Sequence, residues 1–241
     1  MFSKVLIDRL KSARHVCVLT GAGISAESGV PTFRGENGIW KRYSPEELAN
    51  FDAFLRNPEL VWEWYGWRRS LISEVEPNPA HYALAEMEKQ IEDFWLVTQN
   101  VDGLHWRAGN SRILELHGNI MRSLCLECGK HSDEAHMESR VSLPHCECGG
   151  LMRPDVVWFG EMLPEAILSK AVRVSEDCEV FLSIGTSAVI QPAASLPLMA
   201  KRHGAFVIEI NRERTVISGE MDEVILGEAG SVLPALLKSQ A

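Results

Sequence analysis

No stretch of this chain approaches the roughly 20 uninterrupted apolar residues that a bilayer-crossing helix needs, so the sequence offers no membrane span. Internal repeats and low-complexity tracts are also missing, which argues against a solenoid or a biased linker. Positive charge is the scarcer sign: 24 Lys and Arg against 33 Asp and Glu leave a formal net charge of −9. That balance disfavours a broad phosphate-neutralising surface, and with it non-specific nucleic-acid binding, and it favours basic partners such as lysine-rich protein segments. The first residues, Met1 to Leu6, lead into an amphipathic pattern with Asp8, Arg9, Lys11 and Arg14 instead of a long apolar signal region, so the expected location is cytoplasmic.

Cysteine is scarce outside one cluster. Cys17 and Cys178 stand alone in apolar runs, whereas Cys125, Cys128, Cys146 and Cys148 form a C-x2-C…C-x-C pattern. Clustering suits a metal better than a disulfide framework in a reducing compartment. Four thiolates match the tetrahedral preference of zinc and leave no open coordination position, so the expected ion is one structural zinc. The C-x-C spacing departs from the usual C-x2-C of ribbon sites and leaves open a backbone distortion or a neighbouring ligand such as His145. His131, His136 and His145 otherwise read as solvated loop histidines.

What is present is a core: 46% of the 241 residues are hydrophobic, enough for one sizeable α/β domain with a smaller inserted module. Continuous apolar runs of strand length at 15–20, 94–98, 113–116, 180–184, 205–210 and 224–226 alternate with helical patterns at 2–13, 58–75, 79–91, 165–175, 193–203 and 231–238. Continuous instead of alternating runs indicate strands buried on both faces of a parallel sheet. The expected fold is therefore a Rossmann-like, doubly wound α/β sheet with helices on both faces. It carries a helical insertion over 36–76 and a zinc-binding module over 121–151. The large domain is then made of 1–35, 77–120 and 152–241.

The turn after the first strand, Thr20-Gly21-Ala22-Gly23-Ile24-Ser25-Ala26, matches G-x-G-x-x-A. Its glycines would let the backbone approach a pyrophosphate, although an ordinary tight strand-to-helix turn accounts for the same residues. The acidic ribose contact usual about 20 residues further on is not obvious, and Glu209-Ile210-Asn211 at another strand end is a candidate substitute.

Taken together, Gly21-Ala22-Gly23-Ile24-Ser25, Ser28-Gly29-Val30-Pro31, Phe33-Arg34, Gln99-Asn100-Val101-Asp102, His117-Gly118, the four cysteines, Val157-Trp158-Phe159-Gly160-Glu161, Gly185-Thr186-Ser187 and Ile210-Asn211 resemble, in order and spacing, the sirtuins. The match covers nearly the whole chain. The resemblance implies an NAD-dependent protein-lysine deacylase that consumes NAD as co-substrate and releases nicotinamide, O-acyl-ADP-ribose and free lysine. It implies NAD contacts at Gly21, Ala22, Gly23, Ile24, Glu27, Phe33, Arg34, Trp40, Gln99, Asn100, Val101, Asp102, Gly185, Thr186, Ser187, Asn211, Arg212, Glu213 and Ala229.

Within that resemblance His117 is the expected general base toward a ribose hydroxyl, with Asn100 and Asp102 holding the nicotinamide carboxamide and ribose side. Positioning carries most of such a reaction. Turn formation is the plainer role of Asn-Val-Asp-Gly, and a hydrogen-bonded structural histidine that of His117. Arg34 would organise cofactor and water, while His105 is not read as catalytic. Acyl-lysine peptides would add as a strand along 156–161 and 187–191, contacting Val157, Phe159, Gly160 and Glu161.

Tyr65 and Arg68, at i,i+3 in one helical run, share a face and resemble the Tyr-x-x-Arg pair of the desuccinylase and demalonylase subgroup. Such a pair reads an acyl carboxylate; packing of Tyr65 with a solvated Arg68, like Arg69, is the plainer alternative. Two other classes remain open: a protein mono-ADP-ribosyltransferase, which would leave persistent label on a target, and a non-enzymatic NAD-sensing zinc ribbon, which would leave the cofactor intact.

Overall fold

The computed structural model describes residues 2–32, 48–133 and 143–239. The larger sheet has six parallel strands: β1 (His15–Thr20), β2 (Asp93–Thr98), β3 (Ile113–Glu115), β7 (Val180–Ile184), β8 (Phe206–Asn211) and β9 (Glu223–Leu226). Their order is β3-β2-β1-β7-β8-β9, so the chain winds outward from β1 in one direction and, after β7, in the other.

Two helical layers cover this sheet because successive strand side chains point to opposite faces. Val16 and Val18 of β1 join Phe94, Leu182 and Ile208 beneath α1 (Lys4–Ser12), α5 (Pro79–Gln90) and α9 (Ala229–Lys238). Cys17 and Leu19 join Val97, Phe181 and Val207 beneath α7 (Glu165–Asp177) and α8 (Leu196–Arg202). Each fully buried aliphatic side chain contributes about 1.5–3 kcal/mol through removal from water. α5 starts where Asn78 and Pro79 place it, with Asn78 capping the first turn and His81 returning a hydrogen bond to the Asn78 N–H.

A second, antiparallel sheet of β4 (Gly118–Cys125), β5 (His131–Ser132) and β6 (Met152–Val156) runs in the order β5-β4-β6. It reaches beyond 121–151 on both sides. The sheet shares a core with α3 (Phe51–Arg56) and α4 (Pro58–Glu74): Phe54, Val61, Trp62, Tyr65 and Ile72 pack against Ile120, Met152, Val156 and Trp158.

Arg69 corrects one reading. It is not solvated but fully buried, donating from Nε to the Ile120 carbonyl at 2.5 Å and from Nη2 to the Arg122 carbonyl at 2.7 Å and Ser123 Oγ at 3.2 Å. The α4 face is wide enough to sink a guanidinium where β4 offers backbone acceptors, a tertiary match that helical spacing alone does not reveal. Burial pushes the Arg69 pKa down to about 10, and the group remains a cation at neutral pH. Arg69→Met should therefore lower unfolding free energy by about 3 kcal/mol, because two strand carbonyls lose their donors. Chemical denaturation measures this, and a loss under about 1 kcal/mol would mean that those carbonyls find other partners.

Candidate active site and metal centre

Strand order reverses between β1 and β7, and open α/β sheets bind ligands beyond the carboxyl ends of strands at such a point. Here two loops lie backbone to backbone. Gly21 N–H donates to the Ile184 carbonyl at 3.0 Å and Gly23 N–H to the Gly185 carbonyl at 2.8 Å. A Cβ on Gly21 would sit 2.9 Å from the Gly185 oxygen, and one on Gly23 2.7 Å from Gly185 Cα. The glycines are thus required by close contact between two loops of the protein itself.

The ends of β2, β7 and β8 are tied into the same rim. Gln99 Nε2 donates to Thr186 Oγ1 at 3.0 Å, and Asn211 Nδ2 to the Thr186 carbonyl at 2.9 Å. Ile24 is buried, Ala22 half-buried and Ser187 exposed. Val101 is tied instead to the smaller sheet, its carbonyl accepting from Ile120 N–H of β4 at 2.8 Å. Farther along, Glu27 Oε1 accepts from Gly230 N–H at 2.8 Å beside the buried Ala229. Arg212 pairs with Glu228 at 2.9 Å, and Glu213 is exposed. Glu209 is not presented to the rim: it is buried within β8 and accepts a hydrogen bond from Ser218, because strand alternation turns it sideways from the crevice. Phe33, Arg34, Trp40 and His136 lie outside the described residues.

Beneath the rim is a buried polar network. Asn100 Nδ2 donates to the Gly21 carbonyl and to Ser25 Oγ, each at 3.1 Å. Ser25 Oγ donates to Asp102 Oδ2 at 2.8 Å, and Leu104 N–H donates to Asp102 Oδ1 at 2.9 Å. His81 Nδ1 accepts from Asn78 N–H at 3.2 Å, so its proton is on Nε2, which faces Ser25 Oγ at 3.4 Å. His105 Nε2 contacts Thr20 Oγ1 at 3.0 Å and its ring lies 4.8 Å from that of His81. Burial pushes the His81 pKa down to about 4 and that of His105 well below the ordinary range, so both are neutral. Burial also raises the Asp102 carboxyl, opposed by Leu104 N–H, Ser25 and Arg68. Ser25 and His81 are the hub that sequence reasoning did not single out. Their signal was faint: a serine inside the glycine turn and a histidine on the apolar side of a helix.

His117 sits at the crevice between β3 and β4. Its Nδ1 lies 2.9 Å from the Gln99 carbonyl, and a carbonyl only accepts, so the proton is on Nδ1 and Nε2 is left with its lone pair. Burial lowers its pKa, with the Gln99 carbonyl opposing. Gly118 fixes the exit: its φ is +79° and a Cβ there would lie 2.2 Å from the Asp155 oxygen. The His117 carbonyl accepts from Val157 N–H at 2.9 Å, joining this residue to the next segment.

That segment, 156–161, is closed by a fork. Arg153 donates to both Glu161 oxygens, at 2.5 and 2.8 Å, and to the Val156 carbonyl at 2.8 Å. Val157 is half-buried, Phe159 and Gly160 are exposed, and Phe159 N–H donates to the Ala49 carbonyl at 3.0 Å. Tyr65 and Arg68 are buried together, at 2% and 7% exposure, with the Arg68 guanidinium 4.8 Å from the centre of the Trp64 ring and 5.7 Å from that of Tyr65. Burial raises the Tyr65 phenol and lowers the Arg68 pKa, with Tyr65 and Asp102 the groups that oppose the latter.

The four clustered thiols fit a single ion. Their sulfurs lie within 4.8 Å of one another, with Cys125 to Cys148 at 3.5 Å and Cys128 to Cys146 at 3.7 Å. Tetrahedral Zn–S bonds of 2.3 Å would place sulfurs about 3.8 Å apart. His145 is turned away, its Nδ1 at 2.9 Å from the Leu143 carbonyl, so the C-x-C spacing needs no histidine.

The Sir2 family profile matches residues 21–192. The chain is 54% identical over 205 residues to an NAD-dependent protein deacylase of Aquifex aeolicus, covering 85% of this chain and 86% of that protein. It is 52% identical over 232 residues to NAD-dependent protein deacylase 2 of Pyrobaculum aerophilum, covering 96% and 93%. Among solved structures, a Sir2 homologue–NAD complex superposes with a TM-score of 0.93 at 45% identity, covering 99% and 93% of the two chains. A Sir2–p53 peptide–NAD+ complex does so at 0.88 and 30% identity, covering 99% and 98%.

Mercurial titration of the thiols should release about one zinc per chain, read with a colorimetric chelator, and should raise amide exchange across β4 and β6. Absence of released metal, or a mass two or four protons lighter from disulfides, would contradict the zinc assignment.

Proposed function

We propose, from the premise that this chain belongs to the Sir2 family and is an NAD-dependent protein deacylase, that it prefers acidic acyl groups, succinyl and malonyl, on protein lysines. The observation that carries this reading is the pairing of a buried phenol with a buried guanidinium on one face of α4. A cation held out of water is stabilised by an ionised acyl end through short, charge-assisted hydrogen bonds. An acetyl methyl offers it no further acceptor.

The remaining roles follow from placement. Asn100 and Asp102, fixed through Ser25, hold the nicotinamide and ribose side of bound NAD. NAD supplies a nicotinamide–ribose bond whose cleavage develops positive charge at the ribose. His117, neutral and with Nε2 bearing the lone pair, accepts a proton from a ribose hydroxyl. The acyl-lysine segment lies along 156–161 and 187–191, drawing on backbone donors and acceptors with little demand on sequence, with Val157 and Phe159 against the lysine stem. Nicotinamide, O-acyl-ADP-ribose and free lysine are the products. Thiolate ligands suit a reducing, cytoplasmic setting.

Matched acetyl-lysine and succinyl-lysine peptides test the acyl preference. Arg68→Met should lower kcat/KM for desuccinylation by about 10- to 100-fold and deacetylation far less, with Tyr65→Phe shifting the ratio the same way. Equal losses on both peptides would remove the carboxylate role.

A further inference from the structure

We propose that Trp158 is a positioning residue for acyl selectivity, one that orients the Tyr65 hydroxyl and ties the acyl pocket to the peptide-binding segment. The inference rests on the carboxylate reading of Tyr65 and Arg68 and adds a residue that reading does not contain. Trp158 is 3% exposed, and its Nε1 lies 2.9 Å from Tyr65 Oη. An indole N–H can only donate, so the phenolic oxygen is the acceptor and one of its lone pairs is taken. The single phenolic proton must then point away from the indole, free to donate to a second acceptor.

Trp158 is itself immobilised from three sides. The Arg153 guanidinium stacks 3.6 Å from the centre of its ring, and the Phe54 ring lies at 5.3 Å. Its backbone N–H donates at 2.7 Å to Glu161 Oε2, the carboxylate that Arg153 also grips. The fork that closes the 156–161 segment is thus the same fork that holds the indole, and the indole holds the phenol. A rigid path of direct contacts runs from the peptide-binding segment to the acyl pocket. Side chains fixed in this way hold a hydrogen bond in one direction and lose little freedom when a ligand arrives.

Removing the indole N–H should release the phenolic proton to rotate toward the space the donor left, weakening its bond to an acyl carboxylate. Trp158→Phe keeps a ring under Arg153 but has no donor. Benzothienylalanine placed at position 158 by nonsense suppression keeps the indole shape and replaces N–H by sulfur, which separates orientation from packing if Trp158→Phe folds poorly. The measurement is the ratio of kcat/KM for succinyl-lysine over acetyl-lysine peptide, in each variant alone and combined with Tyr65→Phe. The ratio should fall about tenfold in both position-158 variants and should fall no further when Tyr65→Phe is already present, since no hydroxyl remains to be aimed. An unchanged ratio, parallel loss on both peptides, or a position-158 effect that persists in full without the Tyr65 hydroxyl would overturn the proposal. Arg68→Met separates the two ideas: if it lowers the succinyl-to-acetyl ratio while the position-158 variants leave the ratio unchanged, only the role of Trp158 falls, and if Arg68→Met leaves the ratio unchanged as well, both fall.

Discussion

Everything at the crevice depends on a contact between three glycines. Gly21 and Gly23, leaving β1, touch Gly185, leaving β7, closely enough that a Cβ on any of the three would collide with backbone. These are the two strands at which the winding of the sheet changes direction. Elsewhere such a point opens a gap between diverging loops. Here it is bridged by the bonds from Gly21 to Ile184 and from Gly23 to Gly185, so the rim is one continuous surface onto which Gln99, Thr186 and Asn211 are fastened. A Sir2 deacylase must hold a dinucleotide and a peptide together, and a rim of fixed backbone serves that need without side-chain reorganisation.

The layer under the rim solves a second problem, the burial of many polar groups. Ser25 donates to Asp102 and accepts from Asn100, while His81 faces it through a protonated Nε2. Burial keeps both His81 and His105 neutral, which avoids the larger penalty of desolvating imidazolium. The result is a loop after β2 whose two polar side chains, Asn100 and Asp102, are held by partners instead of by solvent. Arg69 and Arg153 do comparable work in the smaller module, one anchoring β4 to α4 and the other folding the 156–161 segment over Trp158.

Much of the large domain was legible in the sequence because its physics is local. Runs such as Val16-Cys17-Val18-Leu19 and Val180-Phe181-Leu182 are apolar at every position, and only a strand covered on both faces needs that. Asn78-Pro79 marks a helix start through capping and a fixed φ. The cysteine cluster was legible through spacing. What depended on distant partners was not. Arg69 looked like a surface arginine because the carbonyls of Ile120 and Arg122 are some fifty positions away. Ser25 and His81 meet only after α5 folds back over β1. Glu209 looked available at a strand end, yet the alternation of β8 and a loop serine decide its direction. The link from Trp158 to Tyr65 joins residues 93 positions apart and has no sequence periodicity to announce it.

The central claim is that a neutral imidazole at this crevice takes the proton, so the pH dependence of kcat/KM tests it most directly. Burial lowers the His117 pKa from its ordinary 6.5, and in the proposed role the active form is the unprotonated one. The rate should therefore rise with pH along a single acidic limb whose midpoint lies below 6.5, then stay level through neutrality. The limb should be lost in His117→Asn along with most of the activity. A midpoint above 6.5, or an acidic limb that survives intact in His117→Asn, would contradict the account.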